Sequence, residues 1–145
     1  KLNTLLSAYE SVFGEEETKL TEDQRKQLAG LSKAQDIVEM LSREIYDNLG
    51  VEEDATKARI SGASRKLSAK IGRDEKVSSF SKVRYGLRTQ MAKALGEVGN
   101  LSEPEQKAAL DLLPDITMSR KEIEENVRLI REILDQAKER TVATY

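Results

Sequence analysis

Apolar residues recur every three or four positions along most of the chain, the spacing of helices that bury one face. Leu2, Leu5, Leu6, Tyr9, Val12 and Phe13 predict a first helix over about 2–13, which Gly14 ends. Glu15, Glu16 and Glu17 follow, either as a solvated turn or as the acidic start of the next element. Thr21 with Gln24 three positions on forms a capping box, in which each residue satisfies a free backbone amide of the helix start. Leu28 and Leu31 begin the face behind it. Gly30 and a second box-like pair, Ser32 with Gln35, predict a break or bend near 30–32. The helix from about 33 to 49 then turns Ile37, Val38, Leu41, Ile45 and Leu49 inward, and Gly50 suits its end.

A third helix is expected over about 52–71, with Glu52, Glu53 and Asp54 at its start and an inward stripe of Thr56, Ile60, Ala63, Leu67 and Ile71. Ser61-Gly62-Ala63-Ser64 puts small side chains at mid-helix, where glycine costs about 1 kcal/mol against alanine. Close helix approach or a kink would account for it. Gly72 stops this helix and Asp74 caps the next, which runs to about Leu95 with Val77, Phe80, Val83, Leu87, Met91 and Ala94 buried.

Ser102 with Glu105 starts a short helix carrying Ala109, Leu110, Leu112 and Leu113 inward, with Pro104 in its first turn and Pro114 at its end. Ser119 with Glu122 starts the last helix. Its stripe of Ile123, Val127, Ile130, Leu134 and Ala137, widened by Leu129 and Ile133, has bundle or coiled-coil spacing and marks a candidate helix–helix interface. Thr141 to Tyr145 carries no helical signal and is expected to be extended. A faint internal repeat pairs Phe13-Gly14-Glu15 and Leu20-Thr21-Glu22 with Leu95-Gly96-Glu97 and Leu101-Ser102-Glu103. No alternating strand pattern stands out. The expectation is an all-α fold: a single domain over 1–145, a bundle of five to seven mostly antiparallel helices, elongated or compact, with short loops and no sheet.

Composition makes that core aliphatic, because only six residues are aromatic. The chain has no Cys, His or Trp. Disulfides, histidine general bases and the common zinc ligand sets are therefore excluded. No run is long and apolar enough to span a bilayer. The first residue is Lys1 rather than Met, and the chain is expected to be a fragment, a processed product or the ordered part of something longer.

The net charge of −2 hides an asymmetry. Residues 1–50 carry six basic and ten acidic side chains, 51–93 eleven and five, and 94–145 seven and eleven. The basic middle consists of Lys57, Arg59, Arg65, Lys66, Lys70, Arg73, Lys76, Lys82, Arg84, Arg88 and Lys93. These are candidate contacts to phosphate, with the salt sensitivity that implies, or to acidic neighbouring helices or subunits. No groove-reading motif accompanies them, and Phe80 and Tyr85 are the only nearby aromatics. The acidic clusters 15–17 and Glu122, Glu124, Glu125 lack the alternating, glycine-centred loop of a calcium site and suit helix starts and solubility. No catalytic, cofactor-binding or metal-binding residue and no small-molecule substrate is indicated, and the chain reads as non-enzymatic.

One stretch carries a family resemblance. Leu95-Gly96-Glu97-Val98-Gly99-Asn100-Leu101-Ser102, then Leu112-Leu113-Pro114-Asp115, a spacer and a long amphipathic helix together resemble a helical module of tailed-bacteriophage virion-associated proteins: internal, DNA-ejection and minor structural proteins. The match covers about 83–135 and departs from the family pattern at Pro104-Glu105. The resemblance implies a structural segment located in the virion (without it, the cytoplasm). Partners would be further copies of the chain, other virion proteins or DNA. It transfers no catalytic residue. The alternative is a cellular nucleic-acid-binding or regulatory helical module using 57–93.

Overall fold

A computed structural model of the chain describes residues 20–143. Five α-helices lie within them: α1 (Glu22–Glu44), α2 (Ala55–Lys70), α3 (Glu75–Gly96), α4 (Glu103–Asp111) and α5 (Arg120–Ala143). A π-helical turn, Ile45–Leu49, continues α1. There is no strand among the described residues; a lone bridge joins Glu52 and Ser119. The fold is an all-α bundle with short loops, and the expected helix at 2–13, with the first half of the faint repeat, lies outside the described residues.

The helix starts follow from local chemistry. Thr21 accepts from the Gln24 amide while Gln24 Oε1 accepts from the Thr21 amide at 2.8 Å. Ser102 and Glu105 do the same for α4, and Ser119 and Glu122 for α5. Asp54 and Asp74 cap α2 and α3. Each such cap contributes about 1 kcal/mol and sets where a helix begins. Gly50 and Gly72 take positive φ, +81° and +78°, where a side chain would be strained.

Helix α1 is the central rod. Leu31, Ala34, Ile37, Val38, Leu41 and Ile45 face one shared core. Helix α3 contributes Val77, Phe80, Met91 and Leu95, and α5 contributes Ile123, Ile130, Leu134 and Ala137. Ala109, Leu113 and Ile116 close it from α4 and the loop after it. Both α3 and α5 run antiparallel to α1. Gly30 near the start of α1 meets Ala94 near the end of α3, and Gln24 Nε2 donates to Thr141 O at 3.1 Å.

Four expectations are corrected. Helix α1 runs unbroken through 30–32. A Cβ on Gly30 would stand 3.1 Å from Ala94 O, so this glycine admits a neighbouring backbone rather than stopping a helix. Residues 141–143 are helical, because Thr141 and Val142 are buried and Val142 clusters with Leu20 and Leu28. Helix α2 begins at Ala55 rather than 52, since Glu52 O is held by the Arg120 amide at 2.8 Å. The stripe expected to face inward from α2 faces outward, and on α3 Val83 is exposed as well.

Candidate docking face on α2

Helix α2 turns its small residues to the bundle. Ala58 and Gly62 are its buried positions, and Ala69 is half-buried against the core. Gly62 seats the helix. A Cβ there would lie 2.6 Å from Ile116 O and 2.7 Å from Thr117 Cα, so the loop backbone after α4 occupies the space a side chain would need. Three polar ties fix the rotation of the helix. Arg65 donates through Nη1 to Leu49 O at 2.6 Å and through Nε to Asp74 at 3.2 Å. Lys66 Nζ meets the mostly buried Asp115 carboxylate at 2.6 Å.

The opposite face is therefore left to solvent. Thr56, Ile60, Ala63, Leu67 and Ile71 are all exposed, with Ile60 at 67%, Leu67 at 64% and Ile71 at 61%. Scattered exposed apolar residues are ordinary, whereas a run at seam spacing along one helix is a candidate interaction face. On α3, Tyr85 (76%) and Val83 add exposed bulk. Val83 belongs to a groove between α1 and α3 that also holds Met40, Phe80, Leu87, Glu44 and Asp47.

The eleven basic residues divide into two groups. Arg59 reaches Glu122 at 3.5 Å and Arg88 reaches Asp111 at 3.7 Å. Arg84 donates to Pro114 O and Leu113 O, and Arg65 and Lys66 make the ties above. Arg59, Lys66, Arg84 and Arg88 hold α2 and α3 to the acidic C-terminal part of the chain, and Arg65 ties α2 to Leu49 and Asp74. The side chains of Lys57, Lys70, Arg73, Lys82 and Lys93 make no hydrogen bond or ion pair among the described residues, and Lys76 acts on Asp74 through its charge alone. Lys70, Arg73 and Lys76 follow one another through the α2–α3 turn. Lys93 lines a groove with Lys26 and Lys33 at the α1–α3 crossing.

The stripe expected to form a helix–helix interface on α5 lies inside this chain. Ile123, Ile130, Leu134 and Ala137 are fully buried in the shared core and Val127 is half-buried against it. The carboxylates with displaced pKa values are set in caps and ion pairs. Asp74 is held below its ordinary value chiefly by the Val77 amide, against an upward push from burial, with further lowering by Arg65 and Lys76. Glu105 is lowered first by the Ser102 amide and then by Arg140. Glu125 is lowered by Arg128. These shifts favour the anion, the opposite of what a general acid needs. Among the described residues no group of three or more acidic side chains is arranged to hold a metal ion, and no helix is long and apolar enough to cross a membrane.

The outward turn of α2 runs against its bulkier stripe of Ile60, Leu67 and Ile71. The competing signal was present in Ala58, Gly62 and Ala69, small residues at helical spacing on the other face. Comparison with protein-family models finds no match, and comparisons with curated proteins and with solved structures find none either.

Proposed function

We propose that this chain is a non-enzymatic structural component of a tailed-phage virion, of the internal, ejection or portal- and tail-associated kind, working by helix docking. The observation that carries the docking part is the exposed seam of Ile60, Leu67 and Ile71 on a helix flanked by the exposed cations Lys57 and Lys70. The virion part is supported by the order and spacing of residues 95–115 alone, and it brings with it a location in the particle. Sedimentation of the full chain over a concentration series tests the docking part. Self-association that disappears in Leu67→Asp, with helical circular dichroism retained, supports it. A monomer at all concentrations, in both proteins, overturns it.

A second reading is favoured by the Lys70, Arg73 and Lys76 run through the α2–α3 turn: contact with nucleic-acid phosphate. A gel shift across a salt series tests it. Binding by phosphate contacts strengthens steeply as salt falls, so no shift at about 50 mM salt removes this reading.

A further inference from the structure

We infer that the α2 seam is the docking site for the acidic N-terminal segment, residues 2–17, of a second copy of this chain. The inference rests on the reading of α2 as a docking face and adds its occupant. The seam is narrow and of coiled-coil type, and it holds no aromatic residue. That suits a partner helix better than a bilayer surface, which calls for a broad apolar face with aromatic anchors.

Charge selects among helices. Ala55–Ile71 carries five cations and no carboxylate, so pairing two α2 helices would set like charges side by side. Residues 2–17 are the complement. They hold four carboxylates, Glu10, Glu15, Glu16 and Glu17, and no cation. Their apolar positions, Leu2, Leu5, Leu6, Tyr9, Val12 and Phe13, are at helical spacing. Leu2 to Phe13 and Ile60 to Ile71 are runs of equal length, each about 17 Å as a helix.

Placement favours a second copy. Leu20 is clustered with Leu28 and Val142 at one end of α1, while Arg65 ties α2 to Leu49 beyond the other end. Helix α1 puts about 35 Å between those ends. Residues 14–20 reach about 25 Å at full stretch, so an own-chain segment would approach α2 only with this connection drawn straight. Reciprocal exchange between two copies has no such constraint, and it doubles the buried surface toward the roughly 1,200 Å² of a stable interface.

The chain has no cysteine, so engineered pairs report without background. Full-length Tyr9→Cys and Leu67→Cys proteins are mixed and oxidised, the doubly substituted protein is oxidised alone, and masses are read without reductant. The expected result is a disulfide-linked pair of the two single variants, at least fivefold above either homodimer, and intermolecular products from the double variant. Closure within a monomer, a dominant Leu67→Cys homodimer, or no cross-link overturns the inference. The combined change Glu15→Lys, Glu16→Lys and Glu17→Lys is expected to weaken self-association about tenfold, with the difference shrinking at high salt. If Leu67→Asp abolishes self-association while no Tyr9 cross-link forms, the occupant assigned here is wrong and the docking face stands. If Leu67→Asp changes nothing, the docking face itself falls.

Discussion

Helices α2 and α5 carry similar apolar stripes and use them in opposite ways. The α5 stripe, Ile123, Val127, Ile130, Leu134 and Ala137, is spaced 4,3,4,3 and is buried against α1. The α2 stripe, Thr56, Ile60, Ala63, Leu67 and Ile71, is spaced 4,3,4,4 and faces solvent. Spacing defines a face but does not say which way the face points. The remaining sides of the two helices decide. The other side of α5 bears charges such as Glu125, Arg128 and Glu132, which pair with one another in solvent. The other side of α2 offers Ala58, Gly62 and Ala69, which let it lie close on the 116–117 backbone. With the core already filled by α1, α3 and α5, the thin side of α2 fits and the bulky side is left over.

The largest expected effect compares one leucine from each stripe. Leu134→Ala empties a fully buried position and should cost about 2–5 kcal/mol in urea unfolding. Leu67→Ala should stay within about 0.5 kcal/mol in the monomer, as exposed substitutions do. Equal losses at the two sites would mean that α2 buries its stripe after all.

The second comparison uses glycine. Alanine in place of a mid-helix glycine ordinarily stabilises by up to about 1 kcal/mol. Gly86→Ala on α3 meets no atom within 4 Å and should follow that rule. Gly62→Ala forces the 116–117 backbone aside and should instead destabilise by about 1–3 kcal/mol. Thermal unfolding of the two variants should therefore move in opposite directions. Stabilisation by both would remove the close approach as the cause of α2's rotation.

A smaller effect is expected at a cap. Ser102→Ala removes the acceptor for the Glu105 amide and the partner of the α4 capping box. About 1 kcal/mol should be lost, and the loss should be confined to the α4–α5 region in hydrogen exchange. Protection lost in α2 as well would show that the two regions open together.

These contrasts mark what could be read from residues alone. Thr21 with Gln24, Asp74, Ser102 with Glu105 and Ser119 with Glu122 were legible, because a cap is settled within four residues. The inward faces of α1 and α5, and that of α3 apart from Val83, were legible because their bulk and spacing agree. The direction of α2 was not, since it depends on the backbone that Gly62 meets far along the chain. The same holds for Gly30, whose neighbour Ala94 decides that it is a crossing point, and for the helical tail, which depends on Leu20, Leu28 and Gln24. The basic middle was visible as charge, but its division into ties (Arg65, Lys66, Arg84) and solvent-facing cations (Lys70, Arg73, Lys76) is a tertiary fact.

Acid sharpens the comparison at the smallest scale. Asp74 ends the α2–α3 turn and bonds Arg65, whereas Glu105 starts α4 and bonds Arg140 of α5. Both have folded pKa values below their ordinary 3.8 and 4.5. A carboxylate lowered on folding stabilises fully above its unfolded pKa. That contribution is lost as pH falls through the folded one. Both contributions should therefore be fully present and constant around neutral pH, and both should weaken as pH drops below about 4.5. Both groups are solvent-accessible, so the changes should be small and local. Asp74→Asn should flatten the acid response of amides at the α2–α3 turn and leave α4 unchanged, and Glu105→Gln should do the reverse. NMR titration of the two variants reads this directly. A response at α2 that survives Asp74→Asn would assign its acid sensitivity to another carboxylate.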